Sequence, residues 1–313
     1  MLSNFLICLN AVLPLVIYLI IGVLLRRYEV VSEHEVRQFN RMVFIAFFPA
    51  LMFENLYSAK ISEAFEPKLI GGACLFVMLV IAVSWVFVTH IEKDDKSRGA
   101  MIQAIYRSNF VLMGLPIAVN VYGKGNTAVT AALIMFVVPL YNVMAVIILE
   151  YFRGGKVSPL SMVKKIFTNP IILGAIAAII AMALHITLPH AVNSVVSSMS
   201  DATTPIAMIL LGASFNVQSV KRDKRNLTIA VAGRLIVVPA VGLSIAAALG
   251  VRGVEFVSLI AMMAAPPAVS SFTMAEAMDS NGELAGNAVI FGTPLSCITL
   301  FLWLFLFKSL GMF

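Results

Sequence analysis

Long apolar stretches alternate with short polar ones along the whole chain. The apolar segments run over about 5–26, 38–57, 68–90, 100–121, 127–151, 166–187, 194–217, 227–249, 254–277 and 285–307. A helix needs about 20 apolar residues to cross a bilayer core, so ten spans are predicted. Strands of an outer-membrane barrel would alternate polar and apolar residues. Gly174-Ala-Ile-Ala-Ala-Ile-Ile-Ala-Met-Ala183 does not, so the spans are read as helices. Arg26 and Arg27 follow the first apolar run instead of preceding it, and no small-residue cleavage site appears. That run is therefore read as a first span and not as a cleaved signal peptide. The fold class expected is an all-α polytopic membrane protein.

Composition narrows the function classes. Of 313 residues, 60% are hydrophobic and 12% charged, and the mean hydropathy is +0.97. A water-soluble core of that apolarity would lack a polar skin, which argues against a soluble enzyme, a disordered chain or a nucleic-acid binder. The net charge of +6 is spread over separate loops. Counted by alternate loops, lysines and arginines divide seventeen to five, so the positive-inside rule predicts both termini outside the cytoplasm. The sequon Asn226-Leu-Thr228 would then face the cytoplasm. Cys8, Cys74 and Cys297 are too scattered for a disulfide framework or a metal knuckle.

Ten helices divide into halves of five with opposite orientation, 1–151 and 166–313, joined by a short cytoplasmic linker at 152–165. Phe136-Val-Val-Pro139-Leu140 is echoed by Phe291-Gly-Thr-Pro294-Leu295, and Pro49-Ala-Leu-Met52 by Pro205-Ile-Ala-Met208. Leu115-Pro116-Ile-Ala-Val119 is echoed by Pro266-Pro267-Ala-Val269 in the matching helix. Such inverted repeats are characteristic of secondary transporters, whose sites lie at interrupted helices.

Interior prolines remove a helical hydrogen bond, at about 3 kcal/mol, and in lipid a broken helix survives only beside protein or a water-filled cavity. Breaks are expected at Gly114-Leu115-Pro116 in the fourth helix and at Pro266-Pro267 in the ninth. Ser108, Asn109 and Asn120 lie near the first; Ser270, Ser271 and Thr273 follow the second. Half-helix N-termini there would present free amides to a carboxylate. The candidate substrate-binding set is Asn109, Gly114, Pro116, Pro266, Pro267, Ser270 and Ser271. Charges inside a bilayer each need a reading. Asp201 reads as a coupling-ion or proton site or as a structural hydrogen-bonding partner. Arg107 and Arg234 read as side chains snorkelling from cytoplasmic helix ends, with an arginine fork on a carboxylate as the alternative. Glu54, Glu150 and Glu276 are expected to be solvated at helix ends. His185 and His190 flank an external loop.

Asn40-Arg-Met-Val-Phe-Ile-Ala-Phe-Phe-Pro49-Ala-Leu-Met-Phe53, Ser108-Asn109-Phe-Val-Leu-Met-Gly114-Leu-Pro116, Asn169-Pro170, Leu211-Gly212 and Val289-Ile-Phe-Gly292 occur in that order. Together they resemble the auxin efflux carrier family over essentially the whole chain. The resemblance implies two inverted five-helix repeats, broken helices four and nine crossing each other, a scaffold with a mobile transport domain, and often homodimers. Its members move organic anions. The loop at 152–165 is short, as in the bacterial branch, where malonate and malate permeases are found. On the resemblance, Asn109, Pro116, Pro266 and Pro267 fall on the crossover, while Ala265-Pro-Pro-Ala-Val-Ser-Ser271 carries its own polar pattern.

The function expected is secondary transport of a small organic anion, a mono- or dicarboxylate such as malonate or malate, across a bacterial inner membrane by alternating access. A proton, a sodium ion or the membrane potential would drive it, with no cofactor, metal or catalytic residue. The alternative within the fold group is a sodium-coupled symporter or a cation–proton antiporter. Those usually carry acidic residues beside the crossover, and the ninth helix has none until Glu276. An intramembrane hydrolase would need a Ser–His or paired-Asp arrangement at membrane depth, and none is visible. Gly123-Lys-Gly125-Asn-Thr-Ala128 mimics a dinucleotide fingerprint without the strand it requires. His34-Glu35-Val-Arg-Gln38 lacks the second histidine of a zinc helix.

Overall fold

The computed structural model describes residues 2–58, 66–123, 126–154 and 159–313; Lys60, Lys124 and Lys156 of the charge count, and Gly125, lie outside the described residues. Every predicted apolar segment is helical. The chain forms α1 (Leu2–Arg27), then α2 (Glu33–Met42) and α3 (Phe48–Tyr57) joined through a π-helical turn at Val43–Phe47. Next come α4 (Pro67–Ile91), α5 (Asp95–Tyr106), α6 (Phe110–Tyr122) and α7 (Ala128–Tyr151). The second half holds α8 (Pro159–Phe167), α9 (Pro170–Ala183), α10 (His190–Ala213) and α11 (Val217–Arg222). It continues with α12 (Lys224–Ala232), a second π-helical turn at Gly233–Val237, and α13 (Val238–Ala248). It closes with α14 (Gly253–Ala264), α15 (Ser270–Ala277) and α16 (Gly282–Ser309). No strand occurs among the described residues, only one isolated bridge.

Among the described residues, five helical runs are long and apolar enough to cross a membrane: α4, α7, α10, α12 with α13, and α16. Shorter apolar helices are α6, α9 and α14. On α4, Leu75, Leu79, Val83 and Val86 stand exposed along one face, which suits contact with lipid tails. The protein is an all-α polytopic membrane protein.

Local sequence sets the helix starts. Ser32 and Glu35 form a reciprocal capping box on α2, Asp94 accepts from the Ser97 amide at α5, and Asn169 caps α9 ahead of Pro170. Each satisfies amides that a helix leaves unpaired in its first turn. The expected linker is not simply a loop, because α8 forms within it. Its Lys165 pairs with Glu150, which Arg153 also approaches at 3.7 Å. Glu150 is therefore buried and paired, not solvated, because α8 folds its lysine back onto the end of α7. Glu54 accepts from Ser58 Oγ at 2.6 Å through one oxygen, while its other oxygen is buried.

The helices pack as two groups. In one, α1 lies along α10, α3 along α9, and α10 against α3. In the other, α4 to α7 and α12 to α16 pack among themselves. The first group depends on glycine. A Cβ on Gly212 would collide with the Leu19 carbonyl, one on Gly22 with the Ile209 carbonyl, and one on Gly174 would lie 2.5 Å from Pro49 O. Small residues at such contacts let helix backbones approach closely where no hydrophobic force drives association.

Gly212→Val should therefore force α1 and α10 apart, costing about 1–3 kcal/mol or more. Thermal unfolding in detergent should show a clear fall in Tm, while Gly71→Ala, whose Cβ meets nothing within 4 Å, should leave Tm within error. Equal Tm for both variants would show that the close approach is not needed.

Candidate functional site

One expected interruption forms where the sequence placed it; the other, at Gly114-Leu115-Pro116, does not form. The ninth span breaks between Ala265 and Val269, at Pro266-Pro267 as expected. The fourth breaks at Arg107–Asn109, and α6 then runs unbroken past Pro116. Pro116 lies deep enough in α6 that it removes one hydrogen bond, that to the Leu112 carbonyl, without ending the helix. Asn120 Nδ2 donates to Pro116 O at 2.8 Å.

The two gaps face each other. Asn109 N donates to Pro266 O at 2.8 Å and Ala268 N donates to Arg107 O at 3.2 Å, an antiparallel bridge between Ser108 and Pro267. Neither gap leaves its extended segment bare, as a buried backbone requires. Pro267 also touches α16. A Cβ on Gly292 would lie 2.6 Å from Pro267 Cδ, so glycine at that position lets the tenth span approach the crossover.

Arg234 closes the other side. Its Nε donates to Ala265 O (3.0 Å), Nη1 to Ile105 O (3.3 Å) and Tyr106 O (2.9 Å). Its Nη2 donates to Met262 O at 2.9 Å and to Met263 O. These are the terminal carbonyls of α5 and α14 together with Ala265, so one guanidinium caps both broken helices at their negative ends. The snorkelling expectation fails for Arg234, which is 1% exposed. It fails equally for Arg107, 2% exposed. Arg107 binds Gln103 Oε1 at 2.6 Å, Asn142 Oδ1, and Met274 Sδ at 2.9 Å. Carbonyls and side-chain amides of neighbouring helices hold both guanidiniums inward, away from the cytoplasmic helix ends.

A cavity of about 480 Å³ opens beside the crossover. Arg107, Ser108, Asn109 and Pro116 line it from the fourth span, Ala268 to Ser270 from the ninth, and Ser200, Asp201 and Thr204 from α10. The first amides of α6, which follow Asn109 at this wall, have no side-chain cap; α15 lacks one too, but its Ser271 N and Phe272 N already donate to Ala268 O and Val269 O. Asn109 Nδ2 is buried and unpartnered. A positive helix end with a free amide donor beside it is built to accept an anionic oxygen. Asp201 forms part of the opposite wall.

Other candidates lie elsewhere. Pro266 and Pro267 shape the crossover from behind the cavity wall. Ser271 is buried with its Oγ unpartnered and does not line the cavity. Gly114 is a packing position, since a Cβ would lie 2.8 Å from the Phe110 ring. Sequence reasoning missed Gln103, Asn142 and Tyr141. Their signal was available, as polar side chains inside apolar stretches mark membrane sites.

A second cavity of about 380 Å³ lies on the other side of the crossover, lined by Arg26, Arg37, Ser214, Asn216, Glu276 and Asn287 among others. Both cavities fall between the same two helix groups. Within the second group, Lys96 pairs with Asp279 at 2.9 Å and Ser280 Oγ donates to Lys96 O at 2.8 Å. This ties the start of α5 to the end of the ninth span, and the lysine holds the Asp279 carboxyl below its ordinary range.

Broken helices crossing beside a cavity, in a polytopic bundle, define a membrane transporter. The profile of a family described as membrane transport protein matches residues 7–304, and the chain belongs to that family, the auxin efflux carriers. An uncharacterized transporter of Methanothermobacter thermautotrophicus is 23% identical over 298 residues, 94% of this chain and 96% of that one. Another, of Methanocaldococcus jannaschii, is 24% identical over 307 residues, 94% and 97% of the two chains. Auxin efflux carrier component 1 of Arabidopsis thaliana is 29% identical over 150 residues, 46% of this chain and 24% of its own.

Arg234→Met should leave several buried carbonyls without a donor, each costing about 1–3 kcal/mol. A large drop in Tm is expected, against no change for the exposed Arg225→Gln. If Arg234→Met unfolds at the wild-type temperature, the capping role is wrong.

Proposed function

We propose that the chain is a secondary active transporter of small organic anions, mono- or dicarboxylates of malonate or malate size, in a cytoplasmic membrane with both termini outside. The observation that carries this reading is the unpartnered Asn109 Nδ2 beside the uncapped N-terminus of α6 on a 480 Å³ cavity. A substrate carboxylate sits there, accepting from the α6 amides, Asn109 and the Ser270 hydroxyl. Two inverted five-helix repeats supply the frame. In support, the pairing of α1 with α10 and that of α3 with α9 exchange with one another when the first and sixth spans, and the second and seventh, trade places. Alternating access follows from the two cavities on either side of one crossover. Sliding one helix group along the other widens one cavity as it closes the other, in the manner of domain shear.

Proteoliposome uptake of labelled malonate tests the reading. Asn109→Ala removes a hydrogen bond to a charged group, so uptake should fall about tenfold or more. Unchanged uptake in that variant would remove the site. Asp201 faces the same cavity from the opposite group, where it holds the coupling proton or sodium ion. Asp201→Asn should abolish ion-driven accumulation while sparing substrate counterflow between equilibrated compartments. Loss of both activities together would instead assign Asp201 to substrate binding or folding.

A further inference from the structure

Two guanidiniums are buried at the crossover, and they are held in different ways. Arg234 spends its donors on five main-chain carbonyls that cannot rotate away. Arg107 is held by two side-chain amide oxygens and a thioether, and a thioether sulfur is a weak acceptor. No carboxylate pairs with Arg107. The ion pairs among the described residues use Glu33, Asp95, Glu150, Asp223, Asp279 and Glu283, and none of them includes Arg107. A buried charge without a counter-charge costs several kcal/mol, yet this one lines a cavity wide enough for a small solute. Of its partners Asn142 lines the same cavity, so an incoming anion can displace the Asn142 oxygen and meet the planar fork.

Arg107 also stands two residues before Asn109, on an extended segment. In extended backbone, Cα atoms so spaced lie about 6.6 Å apart. Both line the cavity. The wall thus offers two anion-receiving points, the α6 amide end with Asn109 and the Arg107 fork, close enough to be bridged by one short molecule.

We propose that Arg107 is the specificity-determining residue of this site and binds the second carboxylate of a compact dianion, so that a dicarboxylate is preferred over the monocarboxylate of equal chain length. The proposal rests on the transport reading above and narrows its substrate class.

The test is uptake of labelled succinate and labelled butyrate by the full-length protein in proteoliposomes, with wild type, Arg107→Gln and Asn142→Asp. Wild type should favour succinate by about tenfold or more, the scale of a hydrogen bond to a charged group. Arg107→Gln should lose that preference while butyrate uptake stays within a few fold. Asn142→Asp keeps the side chain's shape, gives up its bonds to Val138 O and Met52 Sδ and supplies Arg107 with an internal counter-charge, so it too should lose the preference, even if Arg107→Gln fails to fold. Equal wild-type uptake of the two solutes, or a succinate preference retained in Asn142→Asp, overturns the proposal and leaves anion transport standing. Uptake of neither solute by wild type overturns the transport reading itself.

Discussion

A helix interrupted inside a bilayer leaves carbonyls on one side of the gap and amides on the other, with no water to satisfy them. That constraint governs the centre of this protein. The extended segments pair with each other through Asn109, Pro266, Arg107 and Ala268, and Arg234 takes the carbonyl ends of α5 and α14. The amide ends of α6 and α15 receive no side-chain cap. The chain has thus sealed the negative ends with its own cation, turned two α15 amides onto Ala268 O and Val269 O, and left the start of α6 beside a cavity. The asymmetry decides what the cavity can hold, since a solute that completes the arrangement must bring acceptors.

The same bonds make the crossover a unit. Tyr106 donates its hydroxyl to Tyr141 O at 3.0 Å, linking α5 to α7. Arg234 sits in the π-helical turn at Gly233–Val237, where Trp303 of α16 donates to Leu235 O at 3.0 Å. Insertions of this kind free a carbonyl and re-aim side chains, and they recur at functional sites. The other π turn, at Val43–Phe47, is bonded by Thr203 Oγ1 to Phe47 O at 3.1 Å, within the α1, α3, α9 and α10 group. Each group therefore satisfies its irregular backbone internally. Relative movement between the groups need not break those bonds.

Much of this was legible in the chain. Ten apolar stretches gave the helices, Pro266-Pro267 gave the ninth break, and the ordered motifs gave the family. The fourth break was not legible as placed, because nothing in Tyr106-Arg107-Ser108 breaks a helix by itself. The interruption there is tertiary, held by Arg234 and by the opposing segment. Pro116 misled for the converse reason, since a proline inside α6 costs one bond and the remaining turns persist. Arg107 and Arg234 were misread because position along a helix reports depth but not which carbonyls a neighbouring helix brings alongside. Glu150 was misread because α8 lies within a segment taken for a loop.

Charge sets the last constraint on the site. The crossover buries two guanidiniums, and the acid on its cavity wall is Asp201, which stands across the space on α10. A cation entering between α6 and α15 would meet two positive helix ends and Arg107, with Asn109 offering an unpaired donor. In a medium of low effective dielectric, repulsion between like charges at such separations is worth several kcal/mol. An anion entering the same space meets only complementary groups on that side. Asp201 stands on α10, in the other helix group, so the acid and the donors across the cavity from it belong to different groups.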